Sequence, residues 1–289
     1  MIPPAFEYAR PATISDAIAL LQKHGDDAKV LSGGQSLIPM MKLRLARPAW
    51  LIDINSIPGL ACIHEEGGYL KIGGLTREAD IEASDLIRSK YPIIHDTARV
   101  IADPLVRNLA TVGGNLAHGD PANDHPATML ALGAEVAAIG PGSVRVIPID
   151  SFFVSIFTTA LEPAEILTEI RIPIPPPGSG GAYFKLERKV GDFATAGVAA
   201  QITLDSNGTC QRVGIGLTNV GPTPIRARKA EESLRGKKLD NAAIGQAARL
   251  AAEESQPSSD LRGPEEYKRG LVKELTRRAL MRVLERARG

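Results

Sequence analysis

The chain has 289 residues, of which 44% are hydrophobic and 23% are charged, a composition typical of a folded globular protein and not of a disordered or fibrous one. Because 34 Lys and Arg residues are balanced by 33 Asp and Glu residues, no overall charge favours nucleic acid or an acidic lipid surface. The two cysteines, Cys62 and Cys210, cannot supply an all-cysteine zinc site, the four thiolates of an ordinary iron–sulfur cluster or a disulfide framework.

The start of the chain lacks the basic segment and long apolar segment of a secretion signal. The longest strongly apolar run without charge covers residues 151–161, which is too short to span a bilayer. We therefore expect a cytoplasmic protein without a transmembrane segment.

Helical and strand patterns alternate in the first part of the chain. Apolar spacing predicts a helix over residues 13–24, with Thr13 or Ser15 as its cap. Thr76 is expected to cap a second helix that continues to about Ile87. Short apolar or alternating runs predict strands over residues 28–31, 51–54, 69–72 and 166–172.

A run of prolines and glycines over residues 173–181 interrupts this pattern. Three consecutive prolines followed by glycines are incompatible with a helix or a central strand. We therefore place a domain boundary in this run, between a domain of residues 1–176 and a domain of residues 177–289.

The second part of the chain also mixes strands and helices, which makes the whole chain α+β. Strands are predicted over residues 198–204 and 211–217, joined by a turn at Asp-Ser-Asn-Gly (205–208), and the last helix over 264–288. From residue 225 onward there are 16 basic and 10 acidic side chains, against 18 and 23 before it. This basic excess indicates either a partner surface or, as we prefer, a solvated helical face.

Two glycine-containing segments are the strongest candidates for binding: SGGQSL (residues 32–37), after a predicted strand, and ATVGGNL (110–116). Paired glycines permit positive φ and close approach to a ligand, and successive free amides bind anions. Neither segment has the lysine of a P-loop, and no G-x-G-x-x-G follows the first strand. Two such segments suit a dinucleotide with two linked phosphates, although two ordinary tight turns would have similar residues.

The segment HGDPANDHP (118–126) contains four residues that often bind metals, His118, Asp120, Asp124 and His125. Their spacing fits no zinc pattern, so we do not predict a metal site. Asp124 is better suited to accept a hydrogen bond from a ribose hydroxyl or an adenine amino group. The chain also contains no G-x-S-x-G or H-E-x-x-H motif, and both cysteines are expected to be core residues.

The segment FKLERKVGDF (184–193) follows the predicted boundary. Lys185, Arg188 and Lys189 are suited to phosphate or to the electron-rich end of a flavin, and Phe193 is suited to stacking on a ring. The alternative is an alternating strand with a charged outer face.

Together these segments resemble the FAD-binding medium subunit of molybdenum-containing hydroxylases, and the length and later motifs favour the carbon monoxide dehydrogenase branch. The resemblance covers essentially the whole chain. The motifs that carry it are SGGQSLIP (32–39), IADP (101–104), TVGGN (111–115), GDP (119–121), ND (123–124), RKVGD (188–192), GLTN (216–219) and GPE (263–265).

The resemblance implies a vanillyl-alcohol-oxidase-type (PCMH-type) FAD-binding domain of two subdomains, followed by a smaller α+β C-terminal domain. Asp124 would then hold the adenosine part, and Phe193 would face the isoalloxazine. The FAD-binding residues carried over by position are Ser32, Gly33, Gly34, Gln35, Ser36, Leu37, Ile101, Thr111, Gly113, Gly114, Asn115, Asp124, Leu167, Lys185, Asp192 and Phe193. Two positions depart from the family pattern, which commonly has His in place of Gln35 and Tyr in place of Phe193.

The function implied by the resemblance is electron transfer within a molybdenum, iron–sulfur and flavin enzyme. A large subunit would oxidise the substrate at the molybdenum cofactor, and a small subunit would carry [2Fe–2S] clusters. The FAD of this chain would pass electrons to an external acceptor such as a quinone. The implied assembly is a dimer of heterotrimers, located in the cytoplasm or, through the complex, at the inner face of the membrane.

Three alternatives remain open at this point. The first is the FAD subunit of a hydroxylase for an N-heterocycle or an aldehyde, because substrate choice resides in the large subunit. The second is a cofactor-free interaction subunit. The third, a free-standing flavoprotein oxidase, is disfavoured because no acid–base constellation is evident in the second domain.

Overall fold

Three sheets of three to five strands, each associated with its own hydrophobic core, organise the chain, and a further sheet has only two strands. The computed structural model describes residues 1–289. The first unit contains a parallel three-stranded sheet in the order β1-β3-β2. Its elements are β1 (Glu7–Ala9), α1 (Ile14–His24), β2 (Ala28–Leu31), α2 (Leu37–Lys42) and β3 (Trp50–Asp53).

The first helix begins and ends as its sequence predicts. The Thr13 hydroxyl caps α1 by accepting a hydrogen bond from the Asp16 amide at 3.1 Å. Gly25 ends the helix with φ of +51°. The buried face of α1 includes Ile18 and Leu21, which belong to the same core as Ile52 of β3.

The second unit contains an antiparallel five-stranded sheet in the order β4-β5-β10-β6-β7 and a core of 25 buried residues. Its elements are β4 (Ile63–Glu66), β5 (Tyr69–Gly73), α3 (Glu78–Ala83), α4 (Asp85–Lys90), α5 (Pro92–Arg99), α6 (Pro104–Arg107), α7 (Val112–His118), α8 (His125–Leu132), β6 (Glu135–Gly140), β7 (Ser143–Pro148), β8 (Phe153–Ser155), β9 (Thr158–Thr159) and β10 (Ile166–Pro173).

The single helix predicted from Thr76 to about Ile87 is wrong in its start and its continuity. Thr76 instead donates its hydroxyl to the Cys62 carbonyl oxygen at 3.1 Å. The helix begins after Arg77 and breaks at Ser84, whose hydroxyl caps α4 by accepting from the Ile87 amide at 3.3 Å. The side-chain hydrogen bond of Ser84 thus favours a new helix start over a continuous helix.

The third unit is the C-terminal domain, an antiparallel four-stranded sheet in the order β11-β12-β13-β14 with three helices and a core of 23 buried residues. Its elements are β11 (Ser179–Leu186), β12 (Ala196–Leu204), β13 (Cys210–Thr218), β14 (Ile225–Arg226), α9 (Arg228–Leu234), α10 (Asn241–Glu254) and α11 (Glu265–Ala287). The predicted α+β class is confirmed.

Glycines in this domain permit close packing of the two domains. A Cβ atom at Gly214 or Gly216 of β13 would collide with the carbonyl oxygens of Ala131 and Ala127 in α8. Helix α8 therefore lies directly against the backbone of the C-terminal sheet. Arg286 of α11 adds a contact between the domains, donating to Asp96 Oδ2 at 2.6 Å.

The connection formed by the proline and glycine run is shorter than the sequence predicts. Strand β10 continues to Pro173 and β11 begins at Ser179, so only residues 174–178 connect them. Gly180 and Gly181 lie inside β11, where a Cβ atom at Gly180 would collide with the Val283 carbonyl oxygen of α11. These glycines are required by close packing within the strand, and not by a turn.

Part of the basic excess near the C-terminus is paired within the last helix. Glu274 accepts hydrogen bonds from Arg277 and Arg278, and Glu265 accepts from Arg269. These contacts agree with a solvated helical face. Cys210 is buried and Cys62 only partly buried, so the prediction of a core position is wrong for Cys62. No helix combines the length and apolar composition needed to cross a bilayer.

Candidate cofactor-binding cavity

A cavity of about 900 Å³ lies at the junction of the three units, within the size range of small-molecule and cofactor sites. The loops after β2 and before α7 form part of its wall, together with the start of β10 and the loop after β11. Lys185 is the only predicted site residue that does not line it. The predicted residues that do line it are Ser32, Gly33, Gly34, Gln35, Ser36, Leu37, Ile101, Thr111, Gly113, Gly114, Asn115, Asp124, Leu167, Asp192 and Phe193.

The first glycine loop presents a run of free backbone donors to this cavity. None of the six N–H groups of residues 32–37 donates a hydrogen bond within the chain. Gly34 has φ of +71°, and a Cβ atom at Gly33 would collide with the Leu109 carbonyl oxygen. The Gln35 side chain folds back on the loop and donates to the Gly33 carbonyl oxygen at 3.2 Å. These free amides and this backbone conformation are what the predicted anion-binding concavity requires.

The second glycine loop differs from the prediction of free amides. Gly113 donates its N–H to the Gly74 carbonyl oxygen at 3.0 Å, and Gly114 donates to Thr111 Oγ1 at 3.1 Å. Both glycines lie in the first turn of α7, where the helix and its cap use the amides. A Cβ atom at Gly113 would lie 2.5 Å from the Gly74 carbonyl oxygen, so close backbone packing explains this glycine.

Side chains provide the free polar groups of the second loop. The hydroxyls of Thr111 and Ser32 are 3.1 Å apart and join the two loops. Asn115 Oδ1 is buried without a hydrogen-bond partner. Because a buried polar atom without a partner is costly, the Asn115 amide is suited to a polar ligand in the cavity.

A buried polar cluster joins the cavity to the C-terminal domain. Tyr183 donates to Asp124 Oδ1 at 2.5 Å, and Lys185 Nζ donates to Asp124 Oδ2 at 3.1 Å. The Lys185 side chain is only 2% exposed, which excludes the charged outer face considered from the sequence. Burial raises the pKa of Asp124, an effect that the Lys185 ammonium opposes. Burial and the Asp124 carboxylate raise the pKa of Tyr183.

This cluster places Asp124 beside the segment that carries Phe193. Lys185 Nζ also donates to the Asp192 carbonyl oxygen at 3.1 Å, so one ammonium group joins Asp124 to the residue before Phe193. The predictions that Asp124 holds the adenosine part and that Phe193 faces the isoalloxazine therefore concern the same end of the cavity.

Asp192 fixes the loop that carries Phe193. Its carboxylate accepts from Arg188 Nε and Arg262 Nη2, both at 3.0 Å, and from the Phe193 amide at 2.9 Å. The hydrogen bonds from Arg188 and Arg262 lower the pKa of Asp192 to about 2. Phe193 lines the cavity and is 49% exposed, so it is not an ordinary core residue.

The four residues first considered as metal ligands have separate partners. His125 Nε2 pairs with Glu78 Oε2 at 2.7 Å in the core, and Asp120 Oδ1 accepts from the Ala122 amide at 2.8 Å. His118 faces the Phe157 ring, with 5.1 Å between ring centroids. Both His118 and Phe157 line the cavity. No sequence motif pointed to Phe157, whose φ of +54° is unusual outside glycine.

Comparison with known families matches both parts of the chain. Residues 4–175 match the family described as "FAD binding domain in molybdopterin dehydrogenase". Residues 181–283 match the family described as "CO dehydrogenase flavoprotein C-terminal domain". The chain is 47% identical over 288 residues to the carbon monoxide dehydrogenase medium chain of Afipia carboxidovorans, with 100% of both chains covered.

Solved structures show the same fold over nearly the whole length. A chain of carbon monoxide dehydrogenase from Hydrogenophaga pseudoflava, in a form that lacks the Mo-pyranopterin moiety, has a TM-score of 0.96 and 46% identity, with 99% of each chain covered. A chain of quinoline 2-oxidoreductase from Pseudomonas putida 86 has a TM-score of 0.92 and 31% identity, again with 99% of each chain covered.

Proposed function

We propose that this chain, which belongs to the molybdopterin-dehydrogenase family of FAD-binding medium chains, is the electron-transfer subunit of an aerobic carbon monoxide dehydrogenase. As a member of that family it is an oxidoreductase subunit that carries FAD. In the proposed role it passes electrons from a partner's [2Fe–2S] clusters to an external acceptor. The observation that carries the proposal is the row of six free amides in a cavity that both domains line.

The cavity residues fit FAD. The free amides of residues 32–37 are suited to the pyrophosphate, and the Asn115 amide provides a buried polar group. Phe193 offers an aromatic surface to the isoalloxazine, and the Asp124, Tyr183 and Lys185 cluster supports that end of the cavity. FAD supplies the redox chemistry when bound, and the protein supplies its position and electrostatic surroundings.

The proposal includes two partner subunits. One is a large subunit with the molybdenum cofactor, at which carbon monoxide is oxidised to carbon dioxide, and the other is a small subunit with [2Fe–2S] clusters. We propose that two of these heterotrimers form a dimer in the cytoplasm, and that this complex is held at the inner face of the membrane. The proposed electron acceptor is a quinone. The supporting observation is that two relatives named above are carbon monoxide dehydrogenases, at 46% and 47% identity.

A second candidate is the FAD subunit of an N-heterocycle or aldehyde hydroxylase. The similarity to a chain of quinoline 2-oxidoreductase favours it, but the identity there is 31% against 47%. Assaying the purified complex with carbon monoxide, quinoline and an aldehyde distinguishes these candidates. A complex that oxidises quinoline and leaves carbon monoxide unchanged would overturn our choice. A cofactor-free scaffold is a poorer explanation, because it gives no role to the free amides.

We expect the isolated chain to bind FAD, to contain no stoichiometric iron, and to be unable to oxidise substrate by itself. The two cysteines are too few for a cluster with ordinary thiolate ligation. Absorbance spectra, iron analysis and dye reduction with carbon monoxide measure these properties. Substrate-dependent dye reduction by the isolated chain would contradict the proposal that the large subunit oxidises the substrate and this chain only transfers electrons.

Replacing Phe193 with alanine should weaken FAD binding severalfold without abolishing it, because ring stacking contributes about 0.5–1.5 kcal/mol. Phe193→Tyr should preserve binding and shift the flavin potential through its added hydroxyl. As Phe193 is 49% exposed, neither change should greatly lower the melting temperature without FAD. Titration with FAD, potentiometry and thermal melting test this. Unchanged affinity and potential in Phe193→Ala would exclude the ring contact.

A further inference from the structure

The loop between β11 and β12, residues 187–195, borders the cavity; its last residues, Ala194 and Thr195, are buried, while residues 188–190 are exposed. Val190, near its tip, is 93% exposed. The Asp192 side chain, in contrast, is 11% exposed and accepts hydrogen bonds from two arginines. The exposed part of the loop is therefore held mainly by polar contacts to Asp192, which are sensitive to the loss of a single partner.

The two arginines that hold Asp192 differ in origin and burial. Arg188 belongs to the same loop and its side chain is 56% exposed. Arg262 comes from the segment between α10 and α11, and its side chain is 25% exposed. A less exposed ion pair is less screened by solvent. Arg262 is therefore the less exposed of the two arginines and the one that joins the Asp192 carboxylate to a segment outside the loop, beside Lys185, which holds the Asp192 carbonyl oxygen.

The segment that carries Arg262 is itself fixed to the last helix. Asp260 and Gly263 exchange two backbone hydrogen bonds of 3.1 Å. The Asp260 carboxylate accepts from the Arg262 amide at 2.8 Å and pairs with Lys268 Nζ of α11 at 2.8 Å. The Lys268 side chain is only 2% exposed. The Arg262 guanidinium thus joins the Asp192 carboxylate of the loop to a segment that is fixed on α11.

We propose that Arg262 is a positioning residue that latches the 187–195 loop through Asp192 and thereby holds Phe193 against the flavin ring. Arg262 does not line the cavity, although Asp192 does, and their ion pair is independent of the amides proposed to bind the pyrophosphate. The latch rests on the proposed function, because it assumes that the isoalloxazine lies beside Phe193. Its effect is on the surroundings of the ring, while retention of FAD depends mainly on the glycine loops.

The test compares Arg262→Gln, Arg262→Lys and the control Arg282→Gln in the complex purified with its partner subunits. Arg282 is 53% exposed and pairs only with Glu285, so its loss removes a surface arginine elsewhere on the C-terminal domain. Arg262→Gln should raise the rate of tryptic cleavage at Arg188 and Lys189 by roughly tenfold, since hydrogen bonds to charged groups are among the stronger ones. It should also change flavin fluorescence and shift the flavin potential.

Arg262→Lys should restore part of the protection, because a lysine replaces the charge but not the planar fork, and Arg282→Gln should resemble the wild type. A purely structural role would lower the melting temperature equally with and without FAD and leave the flavin spectrum and potential unchanged, which would overturn the latch. Wild-type cleavage rates and potential in Arg262→Gln would also overturn it. If the wild-type complex lacks FAD, the proposed function fails instead.

Discussion

Replacing Gly114 with valine is expected to weaken FAD binding enough that the folded protein loses its flavin during gel filtration. A Cβ atom at Gly114 would lie 2.8 Å from Ser32 Oγ and 2.8 Å from Thr111 Oγ1, the two hydroxyls that join the glycine loops. Valine would push these loops apart and add bulk at the cavity wall. Overpacking costs about 1–3 kcal/mol, which corresponds to a loss of FAD affinity of roughly tenfold to a hundredfold.

The matched control is Gly245→Val in α10. No heavy atom lies within 4 Å of a Cβ built at Gly245, so the same substitution there meets no neighbour. Flavin content after gel filtration, with circular dichroism as the measure of folding, compares the two variants. Normal flavin content in folded Gly114→Val would rule out this junction as the pyrophosphate site. Equal loss in both variants would show a general effect of valine.

Replacing Lys185 with methionine should produce the largest loss of stability. The ammonium is 2% exposed and contacts Asp124, Glu187 and the Asp192 carbonyl oxygen. Removing one partner of a buried ion pair leaves an uncompensated charge and costs about 3–5 kcal/mol. For a protein of this size we expect the melting temperature to fall by on the order of 10 °C.

The double variant Lys185→Met with Asp124→Asn distinguishes the lost pair from lost packing. Removing the unpaired carboxylate should recover part of the melting temperature, since residues in one network are not additive. If the melting temperature of the double variant falls by the sum of the decreases in the two single variants, the loss of the buried ion pair is not the cause of the instability. FAD affinity measured in parallel shows whether the cluster also supports the flavin end of the cavity.

The sequence patterns were most informative for regular elements whose determinants are local. The helix capped by Thr13 and the strand over 166–172 were predicted closely, because capping and alternation depend on nearby residues. The break at Ser84 and the strand position of Gly180 were missed. The break at Ser84 depends on which of two capping residues the backbone uses. The strand position of Gly180 depends on the packing of α11 against β11.

The sequence predicted which residues line the candidate cavity better than it predicted their contacts. The motif resemblance named fifteen residues that line the cavity, and the comparisons confirm that resemblance. It did not predict that the amides of the second loop are occupied, because Gly74 is distant in sequence. The contacts of Asp124 with Tyr183 and Lys185 likewise form only when the two domains pack together.

The central claim is that electrons leave the complex through the FAD of this chain. Its most direct test is rapid mixing of carbon monoxide with two purified complexes, one containing the wild-type chain and one containing flavin-free Gly114→Val. Absorbance follows reduction of the clusters and the flavin, and a quinone analogue serves as acceptor. We predict that both complexes reduce their iron–sulfur clusters, but that only the wild type reduces the quinone at a substantial rate. Quinone reduction at the wild-type rate by the flavin-free complex would contradict the account.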